Sequence, residues 1–184
     1  MRLFIAVPLP LDLCLRAAAL LPAAQPGLTL VRPDLMHVTL AFLGWITDER
    51  LPDAVAASVA TATGQRPFEL SFDRPGRFPP SGRPRVAWLG AGSGASELAV
   101  LAAAVTGALR ERGLRFDDRP FAPHLTLARV RERVAPDDAR AIASAIDSLA
   151  VPLLRCRVDR IAVVESVLSS KGPRYAERAS AGLG

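Results

Sequence analysis

The sequence is short of the residues that staple or anchor a chain. Its two cysteines, Cys14 and Cys156, are too few for a disulfide framework and lack metal-ligand spacing, so both are expected to be reduced, buried thiols of a cytoplasmic protein. No uninterrupted apolar run approaches the length of a membrane span. Residues 1–10 carry only Arg2 ahead of a short apolar run broken by Pro8 and Pro10, which does not read as a signal peptide. There is no low-complexity stretch long enough to be a linker, so any lobes lie inside one compact domain over residues 1–184. Lysine is nearly absent: Lys171 is the only one, and the formal charge of +5 rests on arginine. The planar guanidinium fork matches phosphate oxygens and points to an anionic or nucleic-acid partner, although an arginine-rich solvated surface has the same composition.

What is present is an ordinary globular composition, 50% hydrophobic and 22% charged, with enough length for one sizeable core or two small lobes. Histidine is scarce, and both copies stand in one pattern, His37-Val38-Thr39-Leu40 and His124-Leu125-Thr126-Leu127. From the chain's own Thr and Leu content, a histidine meets x-Thr-Leu about once in two hundred times, so the pairing is hard to ascribe to chance. Histidine is also the side chain that gives and takes protons near neutrality, and two of them can serve one reaction as acid and base.

Hydrophobic periodicity and breakers predict alternating strands and helices in two similar halves. Residues 3–7 read as a buried strand, 11–21 as a helix closed by Pro22, and 35–43 as the first motif strand ended by Gly44. A helix over 48–62 follows, capped by Thr47 or Asp48 and stopped by Gly64. Strands at 68–72 and 85–89 are separated by a Pro/Gly/Arg loop at 74–84. The second half offers a helix over 95–112, the second motif strand over 123–130, a helix over 136–149 and a β-rich run over 153–164. Residues 175–178 read as a last edge strand.

On a strand, residues i and i+2 share a face, so His37 projects with Thr39 and His124 with Thr126, with Val38, Leu40, Leu125 and Leu127 behind them. Two such strands side by side surround one small anion with two imidazoles and two hydroxyls. A phosphodiester suits that arrangement: one neutral imidazole takes a proton from water while the other, as imidazolium, protonates the departing alkoxide. Thr39, Thr126 and Arg129 are the candidates for holding the phosphoryl charge. Simple alternation puts residues 124, 126 and 128 on one face, so Arg129 starts on the other and needs a strand-end twist to reach the site.

At these residues the chain resembles the two-histidine (2H) phosphoesterases, in particular the RNA 2′,3′-cyclic phosphodiesterases also called 2′-5′ RNA ligases. Residues 1–10, MRLFIAVPLP, are similar to the family's opening strand. LMHVTLAFLG at 35–44, RVAWLG at 85–90 and RPFAPHLTLAR at 119–129 are similar to its first motif, central strand and second motif, and 165–175 to its end. The resemblance implies a bilobal α+β fold. Two antiparallel β-sheets face a central cleft with helices packed outside, two interleaved lobes each giving one HxTL strand in a pseudo-twofold arrangement. It also implies hydrolysis of an RNA 2′,3′-cyclic phosphate, or a small cyclic nucleotide, to a 2′-phosphate without metal or other cofactor. It further implies that the same site can join a 2′,3′-cyclic end to a 5′-hydroxyl, forming a 2′-5′ linkage. His37 is then the acid toward the 3′ oxygen, His124 the base toward water, and Phe42 a platform on which a base stacks. A monomer is the expected state.

Two further readings stay open at this stage. An idle module that binds RNA 3′ ends through the arginines accounts for the charge, and its binding should survive loss of either histidine and fall steeply with salt. A metallohydrolase is the weaker reading, because two histidines with no acidic partner inside either motif make a poor ligand set. Arg77, Arg83 and Arg85 are candidates for the RNA backbone, Tyr175 for reaching the cleft, and Trp45 and Trp88 are expected in the core or between the lobes.

Overall fold

A computed structural model describes residues 1–22, 25–170 and 172–184. Among the described residues nine strands form two antiparallel sheets. β1 (Arg2–Pro8), β3 (His37–Trp45), β8 (Arg160–Ser169) and β9 (Gly172–Gly182) run in the order β3-β1-β8-β9. β2 (Leu28–Leu30), β4 (Phe68–Phe78), β5 (Val86–Ala91), β6 (His124–Val130) and β7 (Leu154–Val158) run in the order β2-β6-β5-β4-β7. β1 is central in its sheet and covered on both faces, which is why RLFIAVP is apolar without alternation: Leu3, Ile5 and Val7 face one side and Phe4 and Ala6 the other, all buried.

Among the described residues four α-helices cover the outer faces. α2 (Leu51–Thr63) packs on β8 and β9, and α3 (Ala95–Glu111) packs on α2 and β3. α1 (Leu11–Ala18) lies against β7, and α4 (Pro136–Asp147) against β4. The halves are therefore interleaved: α1 leaves a strand of the first sheet to cover the second, and α3 does the reverse. α3 buries Leu98, Leu101, Ala102, Val105 and Leu109, one stripe at helical spacing. It closes at Gly113, whose φ of 64° lets the Leu114 N–H return to the Leu109 carbonyl at 3.0 Å. Cys14 and Cys156 are free and buried, and burial pushes both thiols up to about 11. Among the described residues no helix is long and apolar enough to cross a membrane.

The structure departs from the sequence reading where local pattern and pairing disagree. The first motif strand begins at His37, after a single 3₁₀ turn over Pro33–Leu35, and Gly44 continues it rather than ending it. β4 runs through Pro75 to Phe78 in what reads as a loop. Its partner β7 pairs only with Phe68–Phe72, so beyond Phe72 one edge of β4 is open and tolerates a residue without an N–H. β2 is too short at three residues to show a period. The run at 153–164 breaks at Asp159, where the chain passes from one sheet to the other, and β8 and β9 both extend beyond the expected limits. The first helix stops at Ala18, and the second opens with a 3₁₀ turn over Asp48–Arg50.

Candidate active site

The two motif strands bring the sheets together, β3 at one edge of the first and β6 within the second. Strand partners show which side chains share the cleft. On β3, His37 pairs with Pro8, Thr39 with Ala6, Phe42 with Phe4 and Trp45 with Arg2. These partners are alternate residues of β1, so all four β3 side chains project to one face. Strict alternation forbids this. Two bulges, which insert Leu40 and Leu43 as extra residues, restore Phe42 and then Trp45 to the histidine face. Gly44, at φ 70°, supplies the backbone conformation at the second bulge.

The same device acts on β6. His124 pairs with Gly90, Thr126 with Trp88 and Arg129 with Val86, again alternate residues of the neighbouring strand, because Leu127 is inserted between Thr126 and Ala128. Arg129 thus faces the cleft through a bulge at Leu127, not through a twist at the strand end. The Leu127 carbonyl accepts the N–H of Val31 at 2.8 Å, which fixes the bulge from the β2 side.

Each imidazole is oriented from behind and walled by two rings. His37 Nδ1 lies 2.8 Å from the Leu35 carbonyl and His124 Nδ1 2.6 Å from the Ala122 carbonyl. A carbonyl only accepts, so Nδ1 carries the hydrogen in both and the neutral tautomer presents a bare Nε2. His37 Nε2 is 3.1 Å from Thr39 Oγ1, whose hydroxyl donates to it in that tautomer. Phe4 stacks on His37 at 4.7 Å, and Tyr175 meets its edge at 5.4 Å. Phe78 stands edge-on to His124 at 5.2 Å, and Trp88 lies at 6.1 Å.

This cradle shapes the electrostatics. Desolvation lowers the His37 pKa below 6.5, outweighing the Leu35 carbonyl that raises it, and the charges of His124 and Arg129 lower it further. His124 is lowered likewise, by burial first and then by Arg129, against the Ala122 carbonyl. Arg129 acts on both rings, and His37 feels the charge of His124.

A cavity of about 350 Å³ opens beside His124, lined by Arg74, Phe78, Trp88, Gly90 and Pro123 among others. Trp88 is therefore a wall of the cleft rather than core, and Trp45, 78% exposed, is neither core nor interface. The Arg2 guanidinium lies 4.9 Å over the Phe42 ring, so one face of that ring is taken. Arg77 is held by Asp147 at 3.0 Å and by the Gly82 carbonyl, and Arg83 bonds the Arg131 carbonyl, which ties both to the 79–82 turn and its surroundings. Phe4 and Phe78 are the site residues that sequence reading did not single out, and strand register finds them; Tyr175, a candidate for reaching the cleft, does lie against His37. Among the described residues no group of three or more His, Cys, Asp or Glu side chains lies together as a metal site requires.

Gly76 leaves room for this wall. A Cβ there would meet three atoms of the Trp88 ring at 2.2 to 2.6 Å, whereas a Cβ at Gly107, on α3, meets nothing within 4 Å. Gly76→Ala is expected to destabilise the fold by about 1–3 kcal/mol through overpacking. Gly107→Ala should stabilise it by roughly 0.5–1 kcal/mol through helix propensity. Denaturant midpoints of the two variants check both signs.

Comparison with known proteins places the chain. A model of the 2′-5′ RNA ligase superfamily matches residues 12–168. The RNA 2′,3′-cyclic phosphodiesterase of Archaeoglobus fulgidus is 34% identical over 177 residues, 95% of this chain and 96% of that protein. The enzyme of the same name from Thermus thermophilus is 37% identical over 185 residues, 95% of this chain and 86% of that protein. Among solved structures, TT0787 of Thermus thermophilus superposes with a TM-score of 0.80 at 32% identity, covering 100% of this chain and 98% of that one. E. coli LigT complexed with 3′-AMP does so at 0.75 and 25% identity, covering 99% and 97%. With two sheets, two facing His-x-Thr strands and this similarity along its length, the chain belongs to the 2′-5′ RNA ligase superfamily.

Proposed function

We propose that the protein is a metal-independent RNA 2′,3′-cyclic phosphodiesterase whose His37 and His124 act as general acid and base. The observation that carries this reading is the matched pair of imidazoles, each holding its Nδ1 hydrogen on the carbonyl two residues back and presenting Nε2 to one cleft beside Arg129. A cyclic phosphate enters as a monoanion. Thr39, Thr126 and Arg129 hold its non-bridging oxygens. His124 Nε2 takes a proton from water as the water oxygen attacks phosphorus, the bond from phosphorus to O3′ breaks, and His37 Nε2–H protonates O3′. The product is a 2′-phosphomonoester, and the proton gained by one ring equals the proton lost by the other. A 5′-hydroxyl in place of water forms a 2′-5′ linkage by the same steps.

The reaction needs one neutral and one protonated ring. Because burial holds both pKa values below 6.5 in the free protein, the singly protonated pair is most populated below pH 6.5 and is lost as pH rises through the upper value. Bound phosphodiester adds a negative charge, which favours imidazolium and moves the pair upward. We expect a bell-shaped kcat/KM with its maximum below pH 6.5, and a kcat bell displaced to higher pH. A kcat/KM that climbs steadily to pH 8 would remove the acid from the mechanism.

A further inference from the structure

We propose that the cleft face of β3 is a stacking track for the last three nucleotides of a single-stranded RNA, with Trp45 as its outermost platform. The proposal rests on the reading of the site as one that acts on RNA ends. His37, Thr39, Phe42 and Trp45 stand opposite Pro8, Ala6, Phe4 and Arg2, so successive positions are two ladder steps apart, about 6.8 Å, and His37 to Trp45 spans about 20 Å. That pitch is close to one nucleotide of an extended strand. Two bulges on one strand are spent on keeping this face continuous. Without them Phe42 stays on the histidine-opposed face, and Trp45 does not line up with it.

The chemistry of each step fits a nucleic acid rather than a protein segment. Nearest the histidines is the Thr39 hydroxyl. The second step is Arg2 lying on Phe42 at 4.9 Å, a guanidinium plane of the kind on which a base stacks and whose charge suits the adjoining phosphate. The third is Trp45, 78% exposed on the first sheet beyond Phe42, an indole with no share in the core. An aromatic series interleaved with a cation, continuous with a phosphate-binding cleft, is how sequence-tolerant single-strand sites are built. The terminal nucleotide occupies the cleft, the next lies on Arg2 and Phe42, and the third on Trp45.

The test is a series of oligouridylates of one, two, three and six nucleotides, each ending in a 2′,3′-cyclic phosphate, turned over by wild type, Trp45→Ala and Trp45→Phe. The wild type should gain about tenfold in kcat/KM between two and three nucleotides and little thereafter, in line with one stacked base. Trp45→Ala should lose that step and Trp45→Phe keep most of it. A wild-type series without the step, or the same step in Trp45→Ala, overturns the track. If no length is hydrolysed, the catalytic reading fails by itself. Fluorescence anisotropy of a labelled hexauridylate 3′-phosphate then decides the track, with about tenfold weaker binding by Trp45→Ala supporting it and equal binding overturning it.

Discussion

Replacing either histidine by alanine is expected to lower kcat for ring opening by about 10²–10⁴, the usual contribution of one positioned acid or base. The two losses should not add: once one ring is gone the other has no partner to complete the proton balance, so the double variant should be little worse than the weaker single one. Binding should survive in both, because Thr39, Thr126 and Arg129 remain, and titration with a labelled 3′-phosphate oligonucleotide checks this. The pattern separates the catalytic pair from an idle binding module, in which the histidine variants would match wild type in every assay.

Arg129 carries the second large effect. Its charge reaches both rings, lowering the pKa of each, and the Leu127 bulge aims it into the cleft. Arg129→Met should cost about 10²–10³ in kcat, as loss of one preorganised donor to a phosphoryl oxygen does. Arg129→Lys should recover part of this, since an ammonium gives a point charge but not a fork. The pH profile supplies a readout that a structural role would leave unmoved. Removing the cation lets both imidazole pKa values rise, so the kcat/KM maximum of Arg129→Met should shift to higher pH than wild type. An unshifted maximum would place Arg129 outside the electrostatics of the pair.

How much of this was legible in the sequence follows from what each feature depends on. The histidines and their threonines are local: a residue and its i+2 neighbour on a strand share a face whatever the strand pairs with, and the repeated motif announced both. The α+β order and most helices were legible for the same reason, because amphipathic spacing and breakers such as Gly64 and Gly113 are read from neighbours in sequence. Features that depend on pairing were not. Arg129 stood on the wrong face by simple alternation and stands on the right one because of an inserted Leu127, and nothing in His-Leu-Thr-Leu-Ala-Arg marks where a bulge falls. Phe42 reaches the cleft by the same kind of insertion at Leu40, and a second at Leu43 returns Trp45 to the face where simple alternation already puts it. Tyr175 meets His37 only because β9 adds to β8 in a register that sets it near Phe4, more than a hundred residues away in sequence. The wall of Phe78 was hidden by Pro75, which reads as a loop until the open edge of β4 is known.

In the proposed mechanism two protein imidazoles, and no metal, open the ring on the 3′ side. The most direct measurement is incubation of chelator-treated protein with an oligonucleotide ending in a 2′,3′-cyclic phosphate, wild type beside His37→Ala and His124→Ala, with the product identified by phosphorus NMR. The account predicts a 2′-phosphate as the sole product, at an undiminished rate in chelator, and almost none from either variant. A 3′-phosphate, a reaction that stops with the chelator, or variants as active as wild type would contradict it.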